Sequence, residues 1–405
     1  MNRSLLIVPA LFLLTACSWT GVEAAEAAED NGWIPLFNGK NLDGWKINEN
    51  KETFSVKDGE IVVRGNRSHL FYVGPVANAN FQNFEFKADV MTKLNANSGI
   101  YLHTKFQESG WPGIGYESQV NQTHGDPKKS GGLYNVVNVF KTPVKDDEWY
   151  THYIKVEGKH VIVKLNDNVV VDYTEPEPLD RRGPRLSSGT FALQGHDPGS
   201  EVHYRNIMVK LLPDNDGWAW LFNGVNLDGW ELINGSAKYE VKDGIIVGTT
   251  AEGSPNSFLC TKKHYTDFDL EFEVNVDPRL NSGVQFRSNS LKEYRNGRVH
   301  GYQVEIATSN PGRIYDEARR GRWLDEDTDP AKANKAFKVG EWNKYRVLCA
   351  GDSIKTWVNG VPIADLSDSM TSKGFIGLQV HSFRGDSPAQ VRWRNIRIRE
   401  LSADK

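Results

Sequence analysis

The chain contains the same ten-residue segment twice. Residues Leu36–Trp45 read LFNGKNLDGW, and residues Leu221–Trp230 read LFNGVNLDGW. Later motifs return in the same order, among them NSGI at Asn97–Ile100 and NSGV at Asn281–Val284. A period this long exceeds the roughly 20 to 50 residues of solenoid and propeller repeats. The sequence therefore predicts one domain duplicated in tandem, so any site that the fold carries should exist in two diverged copies.

The two copies stay in step to their ends, and this sets the expected domain boundaries. The closing motif YRNI at Tyr204–Ile207 matches WRNI at Trp393–Ile396. We expect a first domain over residues 32–212 and a second over residues 217–402, called here the first and the second repeat. Each has roughly 180 residues, an ordinary size for a domain with its own hydrophobic core.

Residues 1–16 are predicted to be a lipoprotein signal peptide. Arg3 precedes an apolar stretch, residues 5–14, that is too short to span a bilayer. The segment LTAC, which ends at Cys17, resembles the bacterial lipobox, where cleavage precedes a cysteine that then carries lipid. A plain signal peptide with an incidental cysteine is the alternative. We expect a tether over residues 17–31 and a periplasmic or outer-membrane lipoprotein of a bacterial envelope, attached to the membrane through its lipid anchor only.

Charge and cysteine content exclude some classes of function. The formal net charge is −4 with both signs interspersed, which argues against nucleic acid as a partner. Beyond the signal region the cysteines are Cys260 and Cys349, and either a disulfide or two buried free thiols is compatible with them. Neither lies near a histidine in a metal-ligand spacing, so no structural zinc site is expected.

Strand patterns dominate the chain. Residues Phe84–Val90 and Phe268–Val274 alternate apolar and polar side chains, as half-buried strands do. The Asn359-Gly360 pair between two apolar runs is a strong hairpin signal. Helical patterns of useful length are absent. Many short strands separated by turn signals predict an all-β fold, with a two-sheet sandwich in each repeat.

The motifs together resemble one bacterial family. Its pattern is LFNG-x-NLDGW near a domain start, followed by an N-S-G strand, a G-Y-Q/E strand, an E-W strand, a G-x-Q-x-H strand and a closing R-N-I strand. The family, formerly a domain of unknown function, is described as 3-keto-disaccharide hydrolase, or 3-keto-glucoside 1,2-lyase with 3-keto-2-hydroxy-glucal hydratase. The resemblance covers nearly all of the mature chain in two copies. It implies two tandem concanavalin-A-like jelly-roll β-sandwiches, each with a concave face that handles sugar.

Three strands of the second repeat carry polar side chains that are expected to share one face, because successive side chains of a strand alternate. The pairs are Gln285 with Arg287, Gln303 with Glu305, and Gln379 with His381. If the strands lie in one sheet, its polar face presents glutamine and arginine, which suit hydroxyl-rich neutral ligands. It also presents glutamate and histidine, the usual proton-transfer groups.

The first repeat has related side chains at the matching positions, which we interpret as substrate-binding. The pairs are Tyr101 with His103, Glu117 with Gln119, and Gln194 with His196, and His124 in the following loop is a further candidate. The order of glutamine and glutamate is inverted between the repeats. The alternative interpretation is a solvated outer face of an antiparallel sheet, although such faces usually carry lysine, glutamate and threonine.

A charged loop of the second repeat has no close counterpart in the first. It contains Asp316, Glu317, Arg319 and Trp323. In the functional interpretation it forms a site rim, with either carboxylate as a base or metal ligand, the arginine stabilising negative charge and the tryptophan stacking on a sugar ring. In the alternative interpretation it is a surface turn with local ion pairs, which contribute little free energy.

The family resemblance implies cleavage of 3-keto-glycosides by elimination across C1 and C2, by hydration, or by both. A ketone at C3 acidifies the C2 proton, so the reaction needs a base, a group that stabilises the enolate and an acid for the leaving oxygen. Glu305 and His381 are the candidates for base and acid, in either order. Arg287 and Arg319 are the candidates for stabilising the enolate. A divalent metal on Glu305, Asp316 and His381 is a candidate electrophile.

Other functions remain open at this point. No nucleotide-binding glycine-rich motif is evident, so a separate sugar 3-oxidoreductase is expected to oxidise the oligosaccharide or glycoside substrate. A surface carbohydrate-binding lipoprotein without catalysis is one alternative, because this fold serves lectins as readily as enzymes. An ordinary glycosidase with paired carboxylates is another. We expect the second repeat to be catalytic, since it keeps the fuller family pattern, and the first to be a binding module.

Overall fold

The structure is a computed structural model that describes residues 32–179, 183–385 and 388–401. The predicted signal peptide, the lipidation site Cys17 and the tether lie outside these described residues. Their assignments therefore stay predictions. Within the described ranges, no helix combines the length and the apolar character needed to cross a bilayer.

The first repeat forms two antiparallel sheets. Its strands are β1 (Trp33–Pro35), β2 (Trp45–Ile47), β3 (Phe54–Lys57), β4 (Glu60–Arg64), β5 (Ser68–Tyr72), β6 (Phe84–Thr92), β7 (Ser98–Thr104), β8 (Tyr116–Val120), β9 (Tyr150–Glu157), β10 (His160–Leu165), β11 (Asn168–Thr174), β12 (Thr190–Gly195) and β13 (Glu201–Leu211). Short 3₁₀ turns occupy Lys51–Thr53 and Val76–Ala79. The larger sheet has the order β11-β10-β9-β6-β13-β4-β3 with β1 added on β13, and the smaller sheet has the order β2-β5-β12-β7-β8.

The second repeat has the same two-sheet plan. Its elements are β14 (Ala219–Trp220), β15 (Trp230–Ile233), β16 (Lys238–Lys242), β17 (Ile245–Thr249), β18 (Ser257–Thr261), β19 (Phe268–Val276), β20 (Ser282–Asn289), β21 (His300–Ile306), β22 (Ile314–Glu317), α1 (Pro330–Ala336), β23 (Asn343–Ala350), β24 (Ser353–Val358), β25 (Val361–Ser367), β26 (Phe375–Val380) and β27 (Gln390–Glu400). The larger sheet is β16-β17-β27-β19-β23-β24-β25 with β14 on β27, and the smaller sheet is β15-β18-β26-β20-β21-β22.

Alternating strand residues fill a separate core in each repeat. In β6, for example, Phe84, Phe86, Ala88 and Val90 are buried between the two sheets, while the residues that alternate with them are half-buried. The expected hairpin is also present, since β24 and β25 flank Asn359 and Gly360, whose φ angles of 50° and 81° fit a type I′ turn. These features confirm the predicted all-β fold of two tandem concanavalin-A-like jelly-roll sandwiches.

The inner strands of the smaller sheet in each repeat are buried on both faces. Every residue of β5, β7, β12, β21 and β26 is buried. One face packs against the larger sheet, and part of the other carries further apolar packing, such as the contact of Phe106 with the cluster of Phe71 and Tyr101. The alternative of a solvated outer face is therefore wrong.

Helix α1 is a short element that the sequence analysis did not predict. The Asp329 side chain accepts a hydrogen bond from the Ala331 amide at 2.9 Å, and Pro330 occupies the first helical position. Both features favour a helix start. With seven residues the helix completes about two turns, which is too little for a hydrophobic periodicity to show.

Cys260 and Cys349 are buried free thiols.

A β-bulge reverses the direction of two predicted site residues. The register of β20 against β21 shifts between Phe286 and Asn289, and Arg287 has a left-handed backbone there, with φ of 45°. His103 holds the matching place in β7, with φ of 53°. A bulge adds a residue to one strand and so interrupts the alternation of faces. The predictions that Arg287 shares a face with Gln285, and His103 with Tyr101, are therefore wrong.

Candidate functional site

The motif Asn281–Gly283 organises the floor of a cavity in the second repeat. Gly283 of β20 pairs with Gln379 of β26 on one side and with Glu305 of β21 on the other. A Cβ atom on Gly283 would come within 2.5 Å of Gln303 Cγ, so the glycine leaves the space in which Gln303 lies. The preceding serine donates to the Gln379 carbonyl at 2.7 Å. The motif thus places polar side chains of three neighbouring strands side by side.

The cavity above this floor has a volume of about 780 Å³, a size typical of small-ligand sites. Its predicted lining residues are Gln303, Glu305, Glu317, Trp323 and His381. Its lining also includes Asn256, Asn281, Arg295, Arg298 and Tyr315, which the sequence analysis did not single out. The structure therefore brings the proposed proton-transfer groups and the proposed aromatic platform to one place.

Glu305 is the buried acid of the cavity floor, with 6% of its surface exposed. Burial raises the pKa of Glu305 to about 7, although hydrogen bonds from Asn281 and Gln303 act to lower it. The nearby Glu317 carboxylate adds to the rise. The Gln303 amide donates to Glu305 at 3.2 Å and accepts from Gln285 at 2.7 Å. Near neutral pH this carboxyl group is therefore divided between its protonated and ionised forms.

His381 follows β26 and presents one free ring nitrogen. Its Nδ1 lies 2.8 Å from the Ser382 carbonyl oxygen. A carbonyl accepts only, so this contact assigns the proton to Nδ1 and leaves a lone pair on Nε2. The ring is partly exposed and lines the cavity. It is therefore able to accept a proton from a bound ligand.

Two aromatic rings form one wall of the cavity. Tyr315 and Trp323 pack edge to face, with ring centroids 5.2 Å apart. The Arg313 guanidinium lies 4.8 Å from the Trp323 ring centroid and is itself paired with Asp325 at 3.1 Å. This ion pair is nearly fully buried, so the tryptophan is held by packing and by a cation–π contact. The wall is a fixed apolar surface of the kind on which a sugar ring stacks.

Gln285 and Gln379 lie in the floor itself and outside the cavity lining. Both are 0% exposed. Gln285 supports Gln303, whereas the two amide atoms of Gln379 have no hydrogen-bond partner within the described part of the chain. Gln379 pairs across the sheet with the cavity-lining Phe258, and such cross-strand pairs share a face. Gln379 therefore offers unused hydrogen-bonding groups beneath the cavity.

Arg287 does not reach the cavity. It is 1% exposed and donates to the carbonyl oxygens of Thr266 and Gly351, at 2.6 and 2.7 Å, and to Asp267 at 2.7 Å. All of the named partners lie in turns that join strands of the sandwich. The predicted enolate-stabilising role of Arg287 has no geometric support, because its guanidinium clamps these turns.

Asp316 and Arg319 also point away from the cavity, on the opposite side of β22 from Glu317. Asp316 is 0% exposed and is paired with both Arg319, at 2.9 Å, and Arg320. Arg320 continues to Asp368 at 2.6 Å. The two adjacent carboxylates thus have different surroundings, with Glu317 in the cavity and Asp316 at the centre of a buried ion-pair network. The assignments of Asp316 as a base or metal ligand and of Arg319 as an enolate-stabilising group have no geometric support.

The first repeat contains a matching cavity of about 460 Å³. Five of the residues noted from the sequence line that cavity, namely Tyr101, Glu117, Gln119, Gln194 and His196. His124 lies next to it, with its ring 5.5 Å from the His196 ring. His103 is excluded, because it is 1% exposed and its ring nitrogens contact the Gln82 carbonyl oxygen and the Ser187 amide at 2.9 and 3.2 Å.

Glu117 is the acid of the first-repeat cavity. It accepts hydrogen bonds from the Tyr101 hydroxyl and from Gln194 Nε2, both at 2.9 Å. Burial raises the pKa of Glu117 to about 7 despite these two hydrogen bonds. Each repeat therefore holds a floor carboxyl group with a similarly raised pKa, although the two occupy different positions of the strand.

The metal ligand set proposed from sequence is not assembled. Asp316 faces away from Glu305 and His381, so these three groups do not converge. Among the described residues, the cluster of three potential metal-ligating groups is His124, His196 and Asp197, whose ligand atoms lie within 4.8 Å of one another. In that cluster His124 Nδ1 accepts from the Asp126 amide at 3.1 Å, which places its proton on Nε2 and makes that nitrogen a donor. The cluster as it stands is therefore a hydrogen-bonding group.

Several residues of the two sites were not predicted from the sequence, for identifiable reasons. Asn97 and Asn281 were noted as parts of a repeated motif and were not assigned a role, although both bond to a floor side chain, Gln119 and Glu305 respectively. Asp197 directly follows His196, and that adjacency was a usable signal. Arg298, which lies 3.6 Å from Glu317, carries no such pattern, because long-range loop packing decides its place.

Comparisons with known proteins match both repeats to one family model. The model of the 3-keto-alpha-glucoside-1,2-lyase-like domain matches residues 32–210 and again residues 217–399. A 3-keto-disaccharide hydrolase of Bacteroides thetaiotaomicron is 23% identical over 242 residues, covering 48% of this chain and 81% of the relative.

Solved structures with a similar fold include a proposed glycosyl hydrolase from Parabacteroides distasonis. It is 25% identical with a TM-score of 0.39, covering 45% of this chain and 94% of that chain. The carbohydrate-binding module CBM66 from Bacillus subtilis is 19% identical with a TM-score of 0.31, covering 43% of this chain and 98% of that chain.

Proposed function

We propose, from the premise that this chain belongs in both of its repeats to the 3-keto-alpha-glucoside-1,2-lyase-like domain family, that its second repeat cleaves 3-keto-glycosides. The family and the curated relative indicate a carbohydrate-acting function of the glycosyl hydrolase kind. The finer proposal is an elimination that breaks the bond between C1 and the glycosidic oxygen. Hydration of the product would then give net hydrolysis.

The pairing of Glu305 with His381 in one cavity carries this proposal. His381 has a free Nε2 lone pair, and Glu305 keeps a proton up to about pH 7 because burial raises its pKa. A base and an acid facing one ligand are the groups that an elimination requires. Trp323 and Tyr315 supply the surface on which the sugar ring packs.

The reaction balances with these two residues. His381 Nε2 removes the C2 proton, which the neighbouring C3 ketone acidifies. The C1–C2 double bond forms as the C1–O bond breaks, and Glu305 donates its proton to the departing oxygen. For hydration, a water molecule adds its oxygen at C1 while a proton returns to C2. The ketone would be supplied by a separate oxidoreductase, and the protein would act at the cell envelope as a lipoprotein.

An ordinary glycosidase is the second candidate, because Glu305 and Glu317 both line the cavity. Paired carboxyl groups are what direct glycoside hydrolysis uses. Arg298 lies 3.6 Å from Glu317, and burial raises the pKa of Glu305 to about 7, which makes Glu305 the proton donor of such a pair. The substrate separates the two candidates, because only the elimination needs a ketone at C3.

The test uses lipid-free protein, comprising the residues after Cys17, with 4-nitrophenyl 3-keto-glucosides and the matching unoxidised glucosides, with and without a chelator. We expect release of nitrophenol from the keto substrates only, with a transient conjugated keto-glycal that absorbs in the near ultraviolet. Glu305→Gln should lower the rate of the second repeat by about 10² to 10⁴, measured in the Glu117→Gln background so that the first repeat does not contribute. Glu326→Gln, at an exposed residue, is the matched control. Release from unoxidised glucosides would establish the glycosidase, and binding without release would establish a lectin.

A further inference from the structure

The first repeat keeps the floor of the second repeat but carries its carboxyl group at a different position. Gly99 pairs with Gln119 in the first repeat, as Gly283 pairs with Glu305 in the second. Two residues earlier on the same strand, Glu117 stands where the second repeat has Gln303. The floor glutamate of the first repeat therefore stands two residues earlier along its strand than the floor glutamate of the second repeat.

Glu117 is fixed in place across the floor of the first-repeat cavity. A Cβ on Gly99 would come within 2.8 Å of Glu117 Cγ, so the side chain lies flat across the glycine of the motif. The Tyr101 hydroxyl and Gln194 Nε2 fix its two oxygens. Gln119 bonds instead to Asn97 at 3.0 Å, which leaves Glu117 as the floor carboxyl group of this cavity.

His196 is oriented more firmly than its counterpart in the second repeat. Its Nδ1 lies 2.8 Å from Asp197 Oδ2, and Asp197 also accepts from the Ser200 hydroxyl and the Gly199 amide, both at 2.8 Å. Although burial acts to raise its pKa, these hydrogen bonds hold the pKa of Asp197 below its ordinary value. An ionised carboxylate on Nδ1–H fixes the tautomer with a basic Nε2. In the second repeat a backbone carbonyl takes this place.

The cavity also offers unused hydrogen-bonding groups and aromatic walls. Gln119 Oε1 and Gln194 Oε1 have no partner within the described part of the chain, and both residues are 2% exposed. Both line the cavity, together with Trp111 and Tyr134. The Trp111 ring lies 5.4 Å from the His196 ring. Buried amide oxygens without donors favour a ligand that carries hydroxyl groups.

We infer that the first repeat is a second catalytic centre, in which His196, positioned by Asp197, removes a proton next to the ketone of a 3-keto-pyranoside and Glu117 protonates the leaving oxygen. The inference rests on the proposed function for the substrate class. It replaces the expectation that the first repeat is only a binding module. As in the second repeat, one C–H and one C–O bond break while a C–C double bond forms, so no further reactant is needed.

The displaced carboxyl group distinguishes the two centres. Two residues along a strand correspond to about 7 Å, so Glu117 and Glu305 deliver a proton to different places relative to the floor glycine and the histidine. The leaving oxygen must therefore stand elsewhere on the bound ring in each repeat. We expect the two centres to prefer different anomers or different leaving groups within the same class of 3-keto-glycoside.

The experiment separates the two centres by inactivating one at a time. The lipid-free chain is compared with Glu305→Gln, Glu117→Gln and the double variant, on 4-nitrophenyl 3-keto-α- and 3-keto-β-glucosides. Each single variant should keep activity on part of the panel, with different preferences. The double variant should fall by a further 10² to 10⁴ or so. Glu148→Gln, at an exposed residue of the first repeat, is the matched control in the Glu305→Gln background.

The positioning role of Asp197 has its own readout. In the Glu305→Gln background, Asp197→Asn should lower kcat at nearly unchanged KM, and Asp197→Glu should restore part of kcat. A merely structural residue would instead change the thermal midpoint and the folded fraction.

This inference would be overturned by complete loss of activity in Glu305→Gln alone, provided that thermal unfolding shows the first repeat to be folded. The proposed function would then still stand. An inactive wild-type chain would remove both. Activity that survives in the double variant would overturn the roles given to both carboxyl groups.

Discussion

The side chain of Gln303 lies across the backbone of Gly283. A Cβ atom added to this glycine would meet Gln303 Cγ at 2.5 Å and its amide nitrogen at 2.7 Å. Gln303 in turn donates to Glu305 at 3.2 Å. A single missing side chain in the repeated motif therefore determines where the floor amide rests, and through it the surroundings of the acid.

Gly283→Ala is expected to displace Gln303 and to impair the second repeat. Overpacking of a close-packed interior costs about 1 to 3 kcal/mol, so the thermal midpoint should fall together with activity on 3-keto-glycosides. Urea unfolding and initial rates measure the two effects. Gly125→Ala is the control, because a Cβ there meets nothing within 4 Å. Equal effects of the two substitutions would contradict the role given to Gly283.

The activity of the second repeat should decline as the pH rises through about 7. Burial raises the pKa of Glu305 to about 7, and the donor form of this acid disappears above that value. The Glu317 carboxylate contributes to the raised pKa, so Glu317→Gln should move the decline to lower pH. Profiles of kcat/KM in the Glu117→Gln background measure both. A decline that does not move in Glu317→Gln would show that another group sets it.

The buried floor carboxyl groups should make the protein less stable as the pH rises. Glu117 and Glu305 each have a pKa near 7 in the folded chain against an ordinary value of 4.5. Between these values the folded state binds more protons, so the free energy of unfolding falls with increasing pH. The full cost, up to about 3 kcal/mol per group, is reached above pH 7.

Replacing both glutamates with glutamine should remove this dependence. The Glu117→Gln and Glu305→Gln double variant is expected to gain stability relative to wild type between pH 5 and 8, measured by urea unfolding at each pH. The difference between variants cancels the contribution of buried His69 and His103, whose pKa values burial lowers to about 4. A matched double variant at the exposed Glu148 and Glu326 should show no such trend.

Asp316→Asn is expected to destabilise the second repeat more than it slows catalysis. Asp316 is fully buried between Arg319 and Arg320, and removing one partner of a buried ion pair costs about 3 to 5 kcal/mol. Arg322→Gln breaks the exposed pair with Glu326 and should cost under about 1 kcal/mol. Thermal unfolding measures both. A folded Asp316→Asn variant that lacks activity at ordinary stability would restore the catalytic assignment of this residue.

Much of the fold was predictable because its signals are local. Strand alternation, the Asn359-Gly360 turn and the repeated motifs each depend on a few neighbouring residues. Gln303 and Glu305 both line the cavity, as the alternation of side chains along a strand predicts, because β21 has no bulge between them.

The wrong site predictions arise where a local rule was interrupted. Arg287 and His103 have a left-handed backbone, which turns their side chains to the opposite face of the strand. Neither arginine nor histidine is a residue type that predicts a left-handed backbone. The different surroundings of Asp316 and Glu317 also could not be predicted from the sequence. Which of two adjacent carboxylates faces the cavity depends on the pairing of β22 with β21 and on distant partners such as Asp368.

The paired floor positions have a consequence for how such a protein changes over time. Glutamate and glutamine codons differ at one nucleotide, and each floor position brings its own hydrogen-bonding neighbour, Tyr101 or Gln285 at one and Asn97 or Asn281 at the other. Two single-base substitutions therefore suffice to relocate the acid without rebuilding the scaffold. Tandem duplication allows one copy to change while the other is kept, so exchanging glutamate and glutamine at this pair of positions is the smallest change that moves the carboxyl group within the floor.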